Sequence, residues 1–233
     1  MAVWRAISRL MLIGGWTIVS PAWAWRRRSR WLPLWSSTVM SLMGVRLEWH
    51  GRPAEPGSLI VANHLGYLDV LAMATRCDTT FIAKAEIARW PIIGSRVRAA
   101  GTIFIERERL RDLPRVMEEM RARVRDGRSV MWFPEATSTD GRQVLPFKSG
   151  LMQVAVSMGL PITTVSLSTT GSHGRDDASR ACWYGDQSLV PHLWKLLQAP
   201  ETRFYVRVAP VPVTAESRKA LARSARERVI AHR

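Results

Sequence analysis

The sequence predicts an α/β domain, and three observations carry that prediction: seven short β-rich runs, helical segments alternating with them, and Gly or Pro at the joins. The runs are Val45 to Trp49, Ser58 to Ala62, Thr79 to Ala83, Thr102 to Glu106, Ser129 to Phe133, Ile162 to Ser168 and Arg203 to Val211. The clearest helix begins near Pro114 after Asp112, repeats Leu113, Val116, Met117, Met120 and Val124 at helical spacing, and stops at Gly127. Residues 169–188 lack periodicity and read as a loop. With 233 residues, the chain is long enough for one sizeable domain, placed at 45–233, that buries a core without disulfide or metal staples.

Composition narrows the class. The formal net charge is +15, with 47% apolar and 23% charged residues, which excludes collagen-like, disordered and disulfide-scaffold classes. Cys77 and Cys182 lie far apart with no Cys/His spacing, so no metal site is expected and a reducing compartment is the simpler setting. The charge is concentrated at the ends: residues 1–47 hold seven Arg and no acid, and residues 215–233 hold six Lys+Arg against two Glu. A nucleic-acid binder would spread its basic residues evenly, whereas basic residues interleaved with Leu, Ile, Val and Trp suit an anionic membrane surface. Six of the eleven Trp (4, 16, 23, 25, 31 and 35) fall in that first segment, and tryptophan favours the headgroup level.

The apolar run Leu10 to Trp25 would span about 24 Å as a helix, short of the roughly 30 Å hydrocarbon core. Arg5 and Arg9 precede it, Arg26, Arg27, Arg28 and Arg30 follow, and a second apolar stretch runs from Trp31 to Leu47. Residues 1–44 therefore read as a two-helix hairpin dipping into one leaflet, a monotopic anchor. The competing reading is a signal peptide, because Ala22-Trp23-Ala24 mimics a cleavage site.

Chemistry begins after the second strand, in Asn63-His64-Leu65-Gly66-Tyr67-Leu68-Asp69. On a regular helix, residues five apart diverge by about 140°, so His64 and Asp69 meet only if the chain bends, and Gly66 permits the bend. An Asp bonded to one ring nitrogen fixes the tautomer and leaves the other free to take a proton from a hydroxyl. From spacing alone, a structural His remains the alternative.

Three further blocks follow in order: Gly101-Thr102-Ile103-Phe104-Ile105-Glu106-Arg107, Phe133-Pro134-Glu135-Ala136-Thr137-Ser138 and Leu160-Pro161-Ile162-Thr163-Thr164-Val165. With Asn63-His64-x4-Asp69 they resemble the four blocks of the glycerolipid acyltransferase family, of the 1-acylglycerol-3-phosphate type. Lys84 with Glu86, Pro91 and Gly94, and Pro146-Phe147-Lys148-Ser149-Gly150, look like that family's connecting segments. The resemblance implies a mixed central sheet of about seven strands flanked by helices. It also implies acyl transfer from a fatty acyl thioester, on CoA or acyl carrier protein, to the free hydroxyl of a lysolipid at the cytoplasmic face of the cell inner membrane. His64 and Asp69 would be catalytic, and Asn63, Lys84, Arg107, Glu135 and Thr137 substrate-binding. A thioester is already activated, so neither a cofactor nor a covalent nucleophile is expected beyond the acyl-carrier or CoA co-substrate, and no G-x-S-x-G is present.

Each contact residue keeps a plain counterpart: Arg107 as a surface arginine beside Arg109 and Arg111, Glu135 as the partner of an Arg or a backbone amide, Lys84 as a solvated side chain. Two positions depart from the family pattern. Ala136 replaces the usual Gly, which suggests a turn without a positive φ or a slightly altered backbone. Ser138 replaces the usual Arg, which weakens the case for a phosphomonoester acceptor and points towards other lysolipids, including lyso-ornithine lipid, with Arg142 a conceivable substitute. The basic helix after Thr214 reads as a solvated terminal helix, a tail on anionic lipid or a site for an acidic carrier. The competing class is a non-enzymatic basic membrane or nucleic-acid binding module, which has no reason to keep His64, Asp69, Arg107 and Glu135 together. Oligomeric state is not legible.

Overall fold

The computed structural model describes residues 1–19, 28–91, 93–106, 110–171 and 180–233. Its elements run α1 (Ala2–Val19), α2 (Arg28–Leu42), β1 (Val45–His50), β2 (Leu59–Ala62), α3 (Tyr67–Ala74), β3 (Thr79–Lys84), α4 (Ile93–Ala99) and β4 (Ile103–Ile105). They continue with α5 (Leu113–Arg125), β5 (Ser129–Trp132), α6 (Gln153–Met158), β6 (Ile162–Gly171), α7 (Leu189–Gln198), β7 (Thr202–Val208) and α8 (Arg218–Ala231).

The strands form one mixed seven-stranded sheet in the order β1-β7-β6-β2-β5-β3-β4. β6, β2, β5, β3 and β4 are mutually parallel, while β7 runs antiparallel to β6 and parallel to β1. β2 shows why a continuous apolar run suits the centre of such a sheet. Ile60 and Ala62 face one helical layer, Leu59 and Val61 face the other, and all four are fully buried. The first layer includes Met40 of α2, Leu68 and Met73 of α3 and Leu196 of α7. The second holds Val116 and Met120 of α5, Val154 of α6, and Leu221 and Val229 of α8.

All seven expected strands are present, with differences at their ends. β7 stops at Val208 rather than Val211, because Pro210 and Pro212 carry no N–H to continue the ladder. β6 continues past Ser168 through Thr169, Thr170 and Gly171, which pair with Phe204, Arg203 and Thr202, so the first three residues of the expected loop are strand. Its residues 172–179 lie outside the described residues, as do Ala22, Trp23 and Ala24.

The two N-terminal helices differ in how they sit. Helix α1 begins at Ala2, so Arg5 and Arg9 are inside it rather than flanking it, and at 18 residues it is long and apolar enough to cross a membrane. Helix α2 packs on α3 and β1, burying Leu32, Ser36, Val39, Met40 and Met43, and is thereby part of the core. Trp16 and Trp31 stack at 5.5 Å and join the pair.

Candidate active site

The end of β2 delivers Asn63 and His64 to the carboxyl edge of the parallel strands, where open α/β sheets place their ligands. The chain then reverses at Gly66, whose φ of 146° excludes other residues in practice. A Cβ there would also sit 3.0 Å from the backbone nitrogen of Trp183. This bend carries Asp69, in the first turn of α3, back under His64.

Asp69 is fully buried, and its Oδ2 accepts three bonds: from the amides of Leu65 at 2.7 Å and Gly66 at 3.0 Å, and from His64 Nδ1 at 2.6 Å. A carboxylate in that position requires the proton on Nδ1, which leaves Nε2 as an acceptor. The His64 side chain is 17% exposed, and no protein partner reaches Nε2 among the described residues. Phe133, just beyond β5, stacks on the imidazole at 4.1 Å with an interplanar angle of 12°. Ring direction and ring plane are thus held by different residues.

The backbone of His64 is held as well. Buried Glu135 accepts the His64 amide at 2.7 Å through Oε1 and the Leu145 amide at 2.7 Å through Oε2. Burial raises the pKa of the Glu135 carboxyl above its ordinary value, against the two amides, which lower it. Thr139 N donates to the His64 carbonyl at 2.9 Å. Asn63 clips the turn to β6 with both amide atoms, Nδ2 to the Leu167 carbonyl at 2.9 Å and Oδ1 from the Leu167 amide at 2.7 Å.

The remaining expected residues are more peripheral. Lys84 pairs with Glu86 at 2.9 Å, both side chains well exposed, a contact of little energetic weight. Thr137 is exposed at the turn after Glu135. Arg107 lies outside the described residues. Arg142 is 87% exposed and sits 3.5 Å from Asp140, directed at its own loop. The expected loss of a positive φ at position 136 does not occur: Ala136 keeps φ 59°, the glycine-like conformation, despite its methyl group. Apolar Ile82, Ile105, Trp132 and Phe133, with Ala136 and Lys148 beside them, line a cleft of ≈ 230 Å³. Among the described residues no cluster of His, Cys, Asp and Glu could hold a metal ion.

Two supports carry no sequence signal of their own. Thr139 acts through its backbone amide, which any residue except proline supplies. Trp183 reaches the turn from a distant segment, donating its amide to the Leu65 carbonyl at 2.8 Å. What the constellation offers chemically is a rigid, oriented imidazole with one free basic nitrogen beside an apolar cleft.

A family model for acyltransferases matches residues 46–168, which include His64, Asp69 and Glu135. The chain is 33% identical over 190 residues to the lyso-ornithine lipid O-acyltransferase of Rhizobium meliloti, covering 76% of this chain and 65% of that protein. It is 34% identical over 182 residues to the 1-acyl-sn-glycerol-3-phosphate acyltransferase of Neisseria meningitidis serogroup B, covering 77% of this chain and 70% of that one. The chain therefore spans about two thirds of the length of these relatives. In fold it matches the crystal structure of the 1-acyl-sn-glycerophosphate acyltransferase of Thermotoga maritima with a TM-score of 0.63 at 18% identity, covering 99% of this chain and 94% of that one. With the family match extending over the sheet from β1 through most of β6 and enclosing the whole His64 turn, the chain belongs to the acyltransferase family.

Proposed function

We propose that this protein is a membrane-bound O-acyltransferase that moves a fatty acyl group from a thioester of CoA or acyl carrier protein to the free hydroxyl of a lysophospholipid such as 1-acylglycerol-3-phosphate. The observation that carries this reading is the His64 ring, fixed by Asp69 at 2.6 Å with no partner on Nε2 among the described residues. The acceptor hydroxyl bonds to Nε2, which takes its proton as the oxygen attacks the thioester carbonyl. Asp69 stabilises the imidazolium formed. Collapse of the tetrahedral adduct breaks the C–S bond, and the proton on Nε2 passes to the departing thiolate. Histidine ends neutral, the acyl group rests on oxygen, and no covalent enzyme intermediate is required. Asn63 and Glu135 support this by holding the turn, while Arg107, Thr137 and Lys84 are assigned to substrate contact.

A second acceptor is favoured by one observation. Ser138 stands where the family resemblance expects Arg, and Arg142 points towards Asp140, so neither of these two positions offers a free cation for a phosphomonoester. A lyso-ornithine lipid, which carries no phosphate, fits that difference. A panel of lysolipids against both thioester types separates the acceptors and identifies the donor.

Membrane attachment rests on α1. Its outward stripe, Trp4, Met11 and Ile18, recurs every seven residues and is exposed, while Arg5 and Arg9 turn inward. That inversion fits a helix lying in a lipid headgroup layer, and we place α1, rather than the whole of residues 1–44, at the cytoplasmic face of the inner membrane as a monotopic anchor, since α2 packs into the core. The test of the chemistry is His64→Ala. Its turnover is expected to fall about 10²- to 10⁴-fold with folding intact, and turnover within tenfold of the wild type removes the general-base mechanism.

A further inference from the structure

The arginines of α8 are not all solvated. Arg226 donates to the carbonyls of Val144, at 2.7 Å through Nη2 and 3.1 Å through Nε, and of Leu145 at 3.1 Å. Arg233 adds donations to the Arg142 carbonyl at 3.1 Å and to that of Gly141. These carbonyls belong to a segment without regular structure, residues 139–145, which packs Val144 into the core and whose remaining hydrogen bonds to the rest of the chain lead to His64. At one end Thr139 N bonds the His64 carbonyl at 2.9 Å. At the other, Leu145 N bonds Glu135 Oε2, and Glu135 Oε1 takes the His64 amide.

We propose that Arg226 is a positioning residue for the acyl-transfer step, clamping residues 144 and 145 so that Glu135 and Thr139 hold the backbone of His64 in its reactive place. The inference rests on His64 being the general base.

Three features single out Arg226. Its guanidinium is half-buried and fork-shaped, and it spans two successive carbonyls, a geometry an ammonium cannot reproduce. It is carried by a helix anchored in the core through Leu221, Ala225 and Val229, so its own position is fixed. The segment it grips is otherwise loop, and Glu135 can keep both oxygens on their amides only while Leu145 stays in place. Loss of the clamp leaves the Asp69 bond to the ring intact but frees the main chain beneath it. A displacement of about 1 Å at a reacting group is enough to lower a rate about 10²-fold.

The experiment measures kcat, both KM values and Tm for the full chain and for Arg226→Ala, Arg226→Lys, Glu135→Gln, the Arg226→Ala/Glu135→Gln pair, Arg223→Ala and His64→Ala. Expected is a loss of about tenfold to 10²-fold in kcat for Arg226→Ala, with both KM values within about twofold of wild type. Arg226→Lys recovers part of that loss, because it restores one donor of the fork. Arg223, exposed on the same helix, serves as the charge control and leaves kcat unchanged. The double variant is expected to be no slower than Glu135→Gln alone, because both changes cut the same chain of contacts. Multiplicative effects in the pair overturn the proposal. So does a lowered Tm with normal kcat in Arg226→Ala, or, if that variant fails to fold, normal kcat in Arg226→Lys. Activity retained by His64→Ala sinks the general-base mechanism itself, whereas an inactive His64→Ala beside a fully active Arg226→Ala sinks this inference alone.

Discussion

The catalytic turn and helix α1 use the same device with opposite outcomes. At the turn, buried carboxylates grip backbone amides: Asp69 takes those of Leu65 and Gly66, and Glu135 those of His64 and Leu145. At α1, guanidinium groups grip carbonyls at the end of α7. Arg5 reaches the Gln198 carbonyl at 3.1 Å, and Arg9 reaches those of Leu197 at 3.0 Å, Ala199 at 2.7 Å and Pro200 at 3.1 Å. Asp69 and the two arginines satisfy groups that a helix end leaves open, Glu135 satisfies amides outside any helix, and the arginines also complement the negative end of the α7 dipole. The difference lies on the other side of each element. Around the turn, apolar surface is buried on the protein, whereas α1 turns Arg5 and Arg9 inward beside Ala6, Ile13 and Trp16 and leaves Trp4, Met11 and Ile18 outside. A helix so inverted is complete only when another apolar medium covers it.

The comparison breaks most sharply at that outer stripe. Replacing Trp4, Met11 and Ile18 together by Gln removes three large apolar side chains from lipid, each worth about 1.5 to 3 kcal/mol, so partition onto vesicles should fall at least ~10³-fold. The inward contacts of Arg5 and Arg9 remain, so the domain is expected to keep its Tm and its turnover of detergent-dispersed lysolipid. Sedimentation with anionic vesicles reads the first effect. Binding unchanged by the triple substitution would place the membrane contact elsewhere on the molecule. Deletion of residues 1–44 is a poorer test, because it also removes Val39, Met40 and Met43 from the core.

The same contrast explains what was legible in the sequence. The seven strands were readable because β-branched runs bounded by Gly and Pro leave few alternatives, and β2, buried on both faces, shows this best. The boundary of α1 was not, because Arg5 and Arg9 look like flanks to an apolar run until their carbonyl partners, about 190 residues away in sequence, are in place. The His64–Asp69 pair was visible through its spacing and the intervening Gly66. Its supports were less so, since Glu135, Asn63, Thr139 and Arg226 all act on backbone groups, and backbone groups carry no residue-type signal. Ala136 was misleading for a related reason: an alanine where the family pattern has glycine suggested a turn without a positive φ or a slightly altered backbone, whereas the contacts on either side keep the positive φ in place.

A second prediction separates the two regions by pH. Above the turn, buried His192 accepts from the Tyr67 hydroxyl at Nδ1, at 3.2 Å, and donates from Nε2 to the Cys182 carbonyl at 3.0 Å. Neutral imidazole satisfies both contacts. Burial lowers the pKa of His192 below its ordinary value, and Lys195 nearby acts in the same direction. The folded state therefore binds fewer protons here than the unfolded chain, so this stability is present above the ordinary histidine value and is lost as pH falls through the folded value. Arginine does not titrate in this range, so the α1–α7 contact should be indifferent. Protection factors for hydrogen exchange in α3, residues 181–187 and the first turn of α7, which carries His192, are expected to fall on acidification from neutral pH while α1 keeps its protection, and His192→Gln should flatten the response. An equal loss of protection in α1 would remove the distinction.

The smallest expected effect sharpens the comparison within the turn itself. Ala136 holds φ 59°, a conformation costing an L-residue about 1 kcal/mol or more, and it persists because its neighbours are fixed. Glu135 is tied to two amides, and Lys148 N donates to the Pro134 carbonyl at 2.9 Å. Glycine relieves the steric term but loses more chain entropy on folding, so Ala136→Gly should stabilise by only about 0.5 to 1 kcal/mol, raising Tm by about 1 to 4 °C. The same substitution at Ala122, exposed within α5, should destabilise by about 1 kcal/mol, since there the backbone is ordinary helix. Opposite signs for one chemical change isolate the backbone strain from any loss of methyl contacts. If both substitutions destabilise, the Ala136 methyl contributes more through packing in the cleft beside Phe133 than it costs in strain, and the turn is held by that contact rather than against it.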